Sequence, residues 1–163
     1  MFSKVSFINT FDFIDIKRVY FWALAKRDVY IKLPFEDDEP GMCGKLNQSM
    51  YGTRDAAHNW EVAYGKFMER IGFKRGKASP CIFYNEAKGI RAVIHGDDFT
   101  ILGKEEGLNW FRREISKNFE CKFRGRMGDG ENDCKSIRIL NTVSYTHLRA
   151  HETGRNLVCR LLL

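Results

Sequence analysis

Hydrophobic and polar positions alternate along this chain with two different periods, and the switches between them mark its elements. Residues 11–16, FDFIDI, read as a strand, with Phe11, Phe13 and Asp15 on one face and Asp12, Ile14 and Ile16 on the other. A second strand fits residues 29–33. Pro34 ends it, before an acidic, turn-rich loop over residues 36–41. From residue 54 to 71 the period becomes helical: Ala56, Trp60, Ala63, Tyr64, Phe67, Met68 and Ile71 form one apolar stripe. Thr53 suits the N-cap of that helix and Gly72 its C-terminal stop. Three strands follow, over residues 81–84, 91–95 and 99–102. The last two are separated only by Gly96, Asp97 and Asp98, which reads as a hairpin with those residues at its tip. A second helix fits residues 104–118, with Glu105 and Glu106 in its first turn and Leu108, Phe111 and Ile115 on its apolar face. Strands around residues 120–123 and 136–140 complete the set, and the glycine-rich segment 125–130 reads as a loop.

The order strand, helix, hairpin, helix, strand predicts an α+β fold. Its expected form is an antiparallel sheet with two helices on one face, the split βαβ arrangement. One domain is expected over residues 1–142. Residues 143–163 lack periodicity and resemble translated adaptor sequence, so they are expected to be a non-native or disordered tail.

Composition narrows the class. The chain has 163 residues, 44% of them hydrophobic, enough for a substantial core. No apolar run reaches the length of a membrane span, and Lys4 and Asn9 interrupt any secretory apolar segment. Five cysteines without a CxxC pair point to reduced thiols and an intracellular protein, and they argue against a zinc site. The net charge is +6. Its excess concentrates where Arg112, Arg113, Lys117, Lys122, Arg124 and Arg126 face only Glu114 and Glu120. Such a stretch suits a nucleic-acid partner.

The candidate chemistry is acidic. Asp97 and Asp98 are adjacent at a predicted turn, and neighbouring carboxylates repel unless a positive charge compensates them. Hard carboxylate oxygens favour Mg2+ or Mn2+. Asp15 lies near the end of a strand that can neighbour the hairpin, which makes a third carboxylate available. Three such groups at strand ends suit two-metal, in-line phosphoryl displacement.

Several blocks resemble one family in the right order. IHGDDF, around Asp97 and Asp98, resembles the YxDD box of reverse transcriptases, with His95 in place of the tyrosine. DIKRVYF, from Asp15, resembles the strand carrying the first catalytic aspartate. KLNQSMYGTRDAAHNW is similar to the KLxKSLYGLKQAPRAW block of copia-type retrotransposon enzymes, with Asp55 where the family has glutamine. GFKRGKASPCIFY resembles GFxxSxxDxxLF. The resemblance implies the palm of a copia-type reverse transcriptase, a fragment of a Pol polyprotein with fingers and thumb largely missing and inactive in isolation. It implies that Asp15, Asp97 and Asp98 are catalytic and hold Mg2+ or Mn2+. It also implies that Tyr20 lies beneath the incoming sugar, that the backbone of Ile16 and Lys17 approaches the triphosphate, and that Asp55 stands where the family seats the nucleotide. The expected partners are an RNA or DNA template with primer and deoxynucleoside triphosphates. A non-catalytic nucleic-acid-binding module and a decayed transposon remnant are the alternative readings.

Overall fold

The first strand lies inside the sheet, one strand in from its edge. The computed structural model describes residues 9–128, 133–139 and 142–145. In chain order its elements are β1 (Thr10–Ile16), β2 (Tyr30–Ile31), β3 (Gly44–Lys45), α1 (Ala56–Arg70), β4 (Lys74–Arg75), β5 (Ile82–Asn85) and β6 (Ile90–His95). There follow β7 (Asp98–Gly103), α2 (Glu105–Ser116), β8 (Cys121–Met127), β9 (Ser136–Ile139) and β10 (Thr142–Tyr145). Six strands form one antiparallel sheet in the order β4-β5-β6-β7-β1-β8. The pairs β2–β3 and β9–β10 form separate two-stranded ribbons.

The expected class, α+β with two helices and an antiparallel sheet, is what the chain adopts. Ile14, Ile16, Phe83, Ala92, Ile94, Phe99 and Ile101 share a single buried cluster with Trp60, Tyr64, Phe67 and Met68 of α1 and Leu108, Phe111 and Ile115 of α2. Both helices therefore bury their stripes against one core. At roughly 25 cal/mol per Å2 of apolar area, a fully buried side chain of this size contributes about 1.5–3 kcal/mol.

The end of α1 follows from sequence. Phe73 donates its N–H to the Met68 carbonyl and Gly72 donates to that of Glu69, a Schellman closure with Gly72 at φ 89°. Its start differs from expectation. Asp55 holds the N-cap position, while the Thr53 hydroxyl donates to the Met50 carbonyl at 2.7 Å and closes the preceding turn.

Three further expectations need correction. β8 runs on through Gly125, Arg126 and Met127, so the expected loop begins later, because β1 offers a partner edge along that whole length. β9 pairs with β10 and not with the main sheet. Val143, Ser144 and Tyr145, assigned on composition to the tail, belong to β10; the rest of that tail lies outside the described residues.

Asp12 shares the helix-facing side of β1 with Ile14 and is completely buried. Arg112 of α2 donates to it from Nε at 2.6 Å and Nη2 at 2.7 Å, and Arg126 of β8 from Nε at 2.9 Å and Nη2 at 3.0 Å. Four charge-assisted hydrogen bonds thus tie α2 and β8 to β1. Removing the aspartate would leave two guanidinium groups without their partner, a change that costs roughly 3–5 kcal/mol for a buried pair.

Candidate active site

The sheet register brings two of the three candidate carboxylates together. Asp15 near the end of β1 is the cross-strand partner of Asp98 at the start of β7, and directly opposed residues point to the same face. That face is opposite the one bearing Ile14 and the helices. Both side chains are partly buried, 19% and 17% exposed. Asp97 is exposed on the turn between β6 and β7. This turn has two central residues, Gly96 and Asp97. Asp98 itself pairs with His95, so the hairpin tip is one residue shorter than expected. Gly96 has φ 61° and Asp97 does not enter the left-handed region, the pattern of a type II′ hairpin turn.

Two bonds fix that turn from either side. Trp60 of α1, 1% exposed, donates its indole N–H to the Gly96 carbonyl at 2.8 Å. The Ile16 amide donates to the Asp97 carbonyl at 3.0 Å. The apolar stripe of α1 and the inward face of β1 therefore set where the aspartates sit.

The positive charge at the pair comes from Arg124 of β8. Its Nε donates to Asp15 Oδ2 at 3.1 Å, its Nη2 bonds the same oxygen, and Nη2 lies 3.3 Å from Asp98 Oδ1. Burial pushes the Asp98 carboxyl above the usual carboxylate range. Arg124 pulls it down, and the Asp97 and Asp15 charges add to the rise. Carboxylate oxygens are hard donors of the kind Mg2+ and Mn2+ accept; here one guanidinium offsets part of the charge of the two. Among the described residues, no three His, Cys, Asp or Glu side chains converge into a ready-made metal cage. Asp97 stands outside the Asp15–Asp98 pair.

The remaining candidates separate. Tyr20 packs against Tyr51, with ring centroids 4.5 Å apart, and lines a cavity of about 260 Å3 with Trp60, His95 and Gly96, beside the hairpin turn. Asp55 lines a different cavity, of about 450 Å3, with Lys26, Arg27, Arg54 and His58. Arg27 Nη2 donates to Asp55 Oδ1 at 3.0 Å, and that bond holds the Asp55 carboxyl below its usual range. The amides of Ile16 and Lys17 are both engaged, with Asp97 and with Glu120, and the Lys17 ammonium pairs with Glu120 at 2.8 Å. His95 is exposed, not partly buried as a strand histidine near a turn would suggest.

The basic stretch is less available than its composition suggests. Arg112 and Arg126 turn inward to Asp12, Arg124 turns to the aspartate pair, and Lys117 pairs with Glu114 at 2.7 Å. Arg113 and Lys122 are exposed. Counting charges within the stretch missed Asp12 and Asp15, which are distant in sequence. One signal for Asp12 was present: an aspartate sharing a strand face with two isoleucines needs a buried partner.

Fold and site together define an α+β domain that gathers carboxylates at one end of an antiparallel sheet. The reverse transcriptase (RNA-dependent DNA polymerase) family matches residues 8–130, and the chain belongs to that family. It is 27% identical over 119 residues, 69% of its length, to the retrovirus-related Pol polyprotein of transposon TNT 1-94 from Nicotiana tabacum. It is 22% identical over 143 residues, 86% of its length, to the transposon Ty1-DR1 Gag-Pol polyprotein of Saccharomyces cerevisiae. The chain spans 9% and 8% of those relatives. The copia-type resemblance read from the motifs is borne out. No helix among the described residues is long and apolar enough to cross a membrane.

Proposed function

We propose that this chain is the palm of a retrotransposon RNA-directed DNA polymerase, with Asp15, Asp97 and Asp98 as ligands for Mg2+ or Mn2+ in two-metal nucleotidyl transfer. The observation that carries the reading is the cross-strand pairing of Asp15 with Asp98 beside the exposed Asp97. The strand order β6-β7-β1-β8, backed by α1 and α2, supports a split βαβ palm. Asp15, Asp97 and Asp98 would hold the metal pair, whose chemistry there would be activation of the primer 3′-hydroxyl and stabilisation of the leaving pyrophosphate. This chain's own contribution is placement. Trp60 and Ile16 hold the turn that carries Asp97, and Asp97 must turn toward the Asp15–Asp98 pair to complete the donor set.

Tyr20, beside that turn, is the residue proposed to lie under the incoming sugar and exclude a 2′-hydroxyl. Asp55 acts with Arg27 as a neutralised pair, which removes the repulsion that a lone carboxylate would exert on a triphosphate. Ile16 and Lys17 serve by fixing the end of β1, since their amides are already bonded. Arg113, Lys117 and Lys122 are exposed members of the basic stretch that could meet template or primer.

Polymerisation also needs primer, template and triphosphate held in near-attack geometry, a positioning contribution of roughly 7–11 kcal/mol. The sheet described supplies ligands and a little charge, not an enclosing grip. The 163-residue chain should therefore bind a primer–template duplex at low salt, release it as salt rises, and extend no primer with Mg2+ or Mn2+. Gel-shift and primer-extension assays read both outcomes. Salt-insensitive binding would contradict the electrostatic account. Extension that Asp97→Asn abolishes would show that the isolated chain is already a working enzyme.

A further inference from the structure

Arg124 occupies an irregular position. Phe13 of β1 pairs with Gly125 and Ile14 with Phe123, so Arg124 is the extra residue of a β-bulge in β8. Bulges re-aim side chains, and this one directs a guanidinium onto the face that carries Asp15 and Asp98. Arg124 then bonds Asp15 Oδ2 from two nitrogens and reaches Asp98 Oδ1 at 3.3 Å. Its side chain remains 36% exposed, so it has a path into solvent. A guanidinium does not give up its proton in proteins, so it cannot vacate the site by neutralisation. It bonds the same carboxylate oxygens that a hard divalent cation would need.

We propose that Arg124 is a built-in counter-cation, a latch that closes the Asp15–Asp98 pair in the metal-free chain and must swing out for a divalent ion to bind. The inference rests on the reading of those aspartates as metal ligands. It adds a competitor encoded in the same sheet, one that offsets carboxylate repulsion during folding and lowers the affinity for metal afterwards.

The test is Mn2+ binding to the 163-residue chain, read by electron paramagnetic resonance of free Mn2+. Arg124→Gln should bind Mn2+ roughly two- to fivefold more tightly than the wild type, the scale of one partly exposed ion pair. Arg124→Lys restores the charge and should return most of the way to wild-type affinity. Lys66→Gln removes an equal charge from the exposed side of α1 and should change nothing. Equal affinity in wild type and Arg124→Gln would overturn the latch and leave the metal reading standing. Absence of Mn2+ binding in both, or binding that Asp98→Asn does not weaken, would overturn the metal reading and the latch with it. A second measurement needs no folded glutamine variant: the Arg124 Nε–H signal in 15N spectra, identified by its loss in Arg124→Lys. It should be slowly exchanging without metal and lost to fast exchange at saturating Mg2+; persistence at saturation would contradict the proposal.

Discussion

Asp98 is the residue at which fold and chemistry oppose each other most directly. Its carboxyl is raised first by burial and then by Asp97 and Asp15, against the pull of Arg124. The folded chain therefore keeps this proton at pH values where the unfolded chain has released it. Stability from such a group is fully present below the unfolded pKa and is lost as pH rises through the folded one. Asp98→Asn cannot ionise and escapes that loss. Its thermal midpoint should exceed that of the wild type at neutral pH, and the difference should close as pH falls toward the ordinary value of 3.8. A lower midpoint for Asp98→Asn at neutral pH would mean that the Arg124 contact outweighs burial and repulsion together. The three aspartates were legible in sequence because an Asp-Asp step after an apolar run, with a third aspartate ending another, is a local pattern. Arg124 was legible only as a charge. Its aim depends on a bulge in a strand pairing more than a hundred positions apart, which no local pattern encodes.

Among the elements, α1 does more than cover the sheet. Trp60 reaches out of the apolar stripe to the Gly96 carbonyl, while its ring meets Tyr64 and Phe119 at centroid distances of 5.5 and 5.3 Å. Trp60→Phe keeps an aromatic ring but deletes the donor and part of the volume, so it should destabilise the chain by roughly 1–3 kcal/mol. It should also speed hydrogen exchange at the Ile16 amide, whose acceptor lies on the same turn. An unchanged midpoint with unchanged Ile16 protection would show that the turn holds itself. Helix periods and the hairpin were readable because they repeat within a few residues: α1 and α2 fall inside the expected ranges. The two-residue strands β2, β3 and β4 leave almost no alternation to detect, and only part of β2's longer expected span is paired. The separate β9–β10 ribbon was hidden because strand pairing is decided by neighbours and not by the strand's own composition.

For the whole molecule, the net charge of +6 was a poor guide to where a polyanion would sit. Arg112, Arg126 and Arg124 are consumed by Asp12, Asp15 and Asp98, two of them as structural ties and one at the candidate site. The weak, salt-sensitive nucleic-acid binding proposed for this chain would rest on that reduced surface. Burial also pushes the Cys121 thiol up to about 11, which disfavours its reactive thiolate form. What joins these observations is the claim that the Asp15–Asp98 strand pair, with Asp97 beside it, is a metal-dependent polymerase centre. The most direct measurement places residues 9–128 in the matching segment of the TNT 1-94 Pol polyprotein and follows Mg2+-dependent primer extension on an RNA template. The graft should extend the primer, and Asp15→Asn or Asp98→Asn should each cut the rate by roughly a hundredfold or more while leaving the circular dichroism spectrum intact. Extension that survives either substitution at full rate would contradict the account.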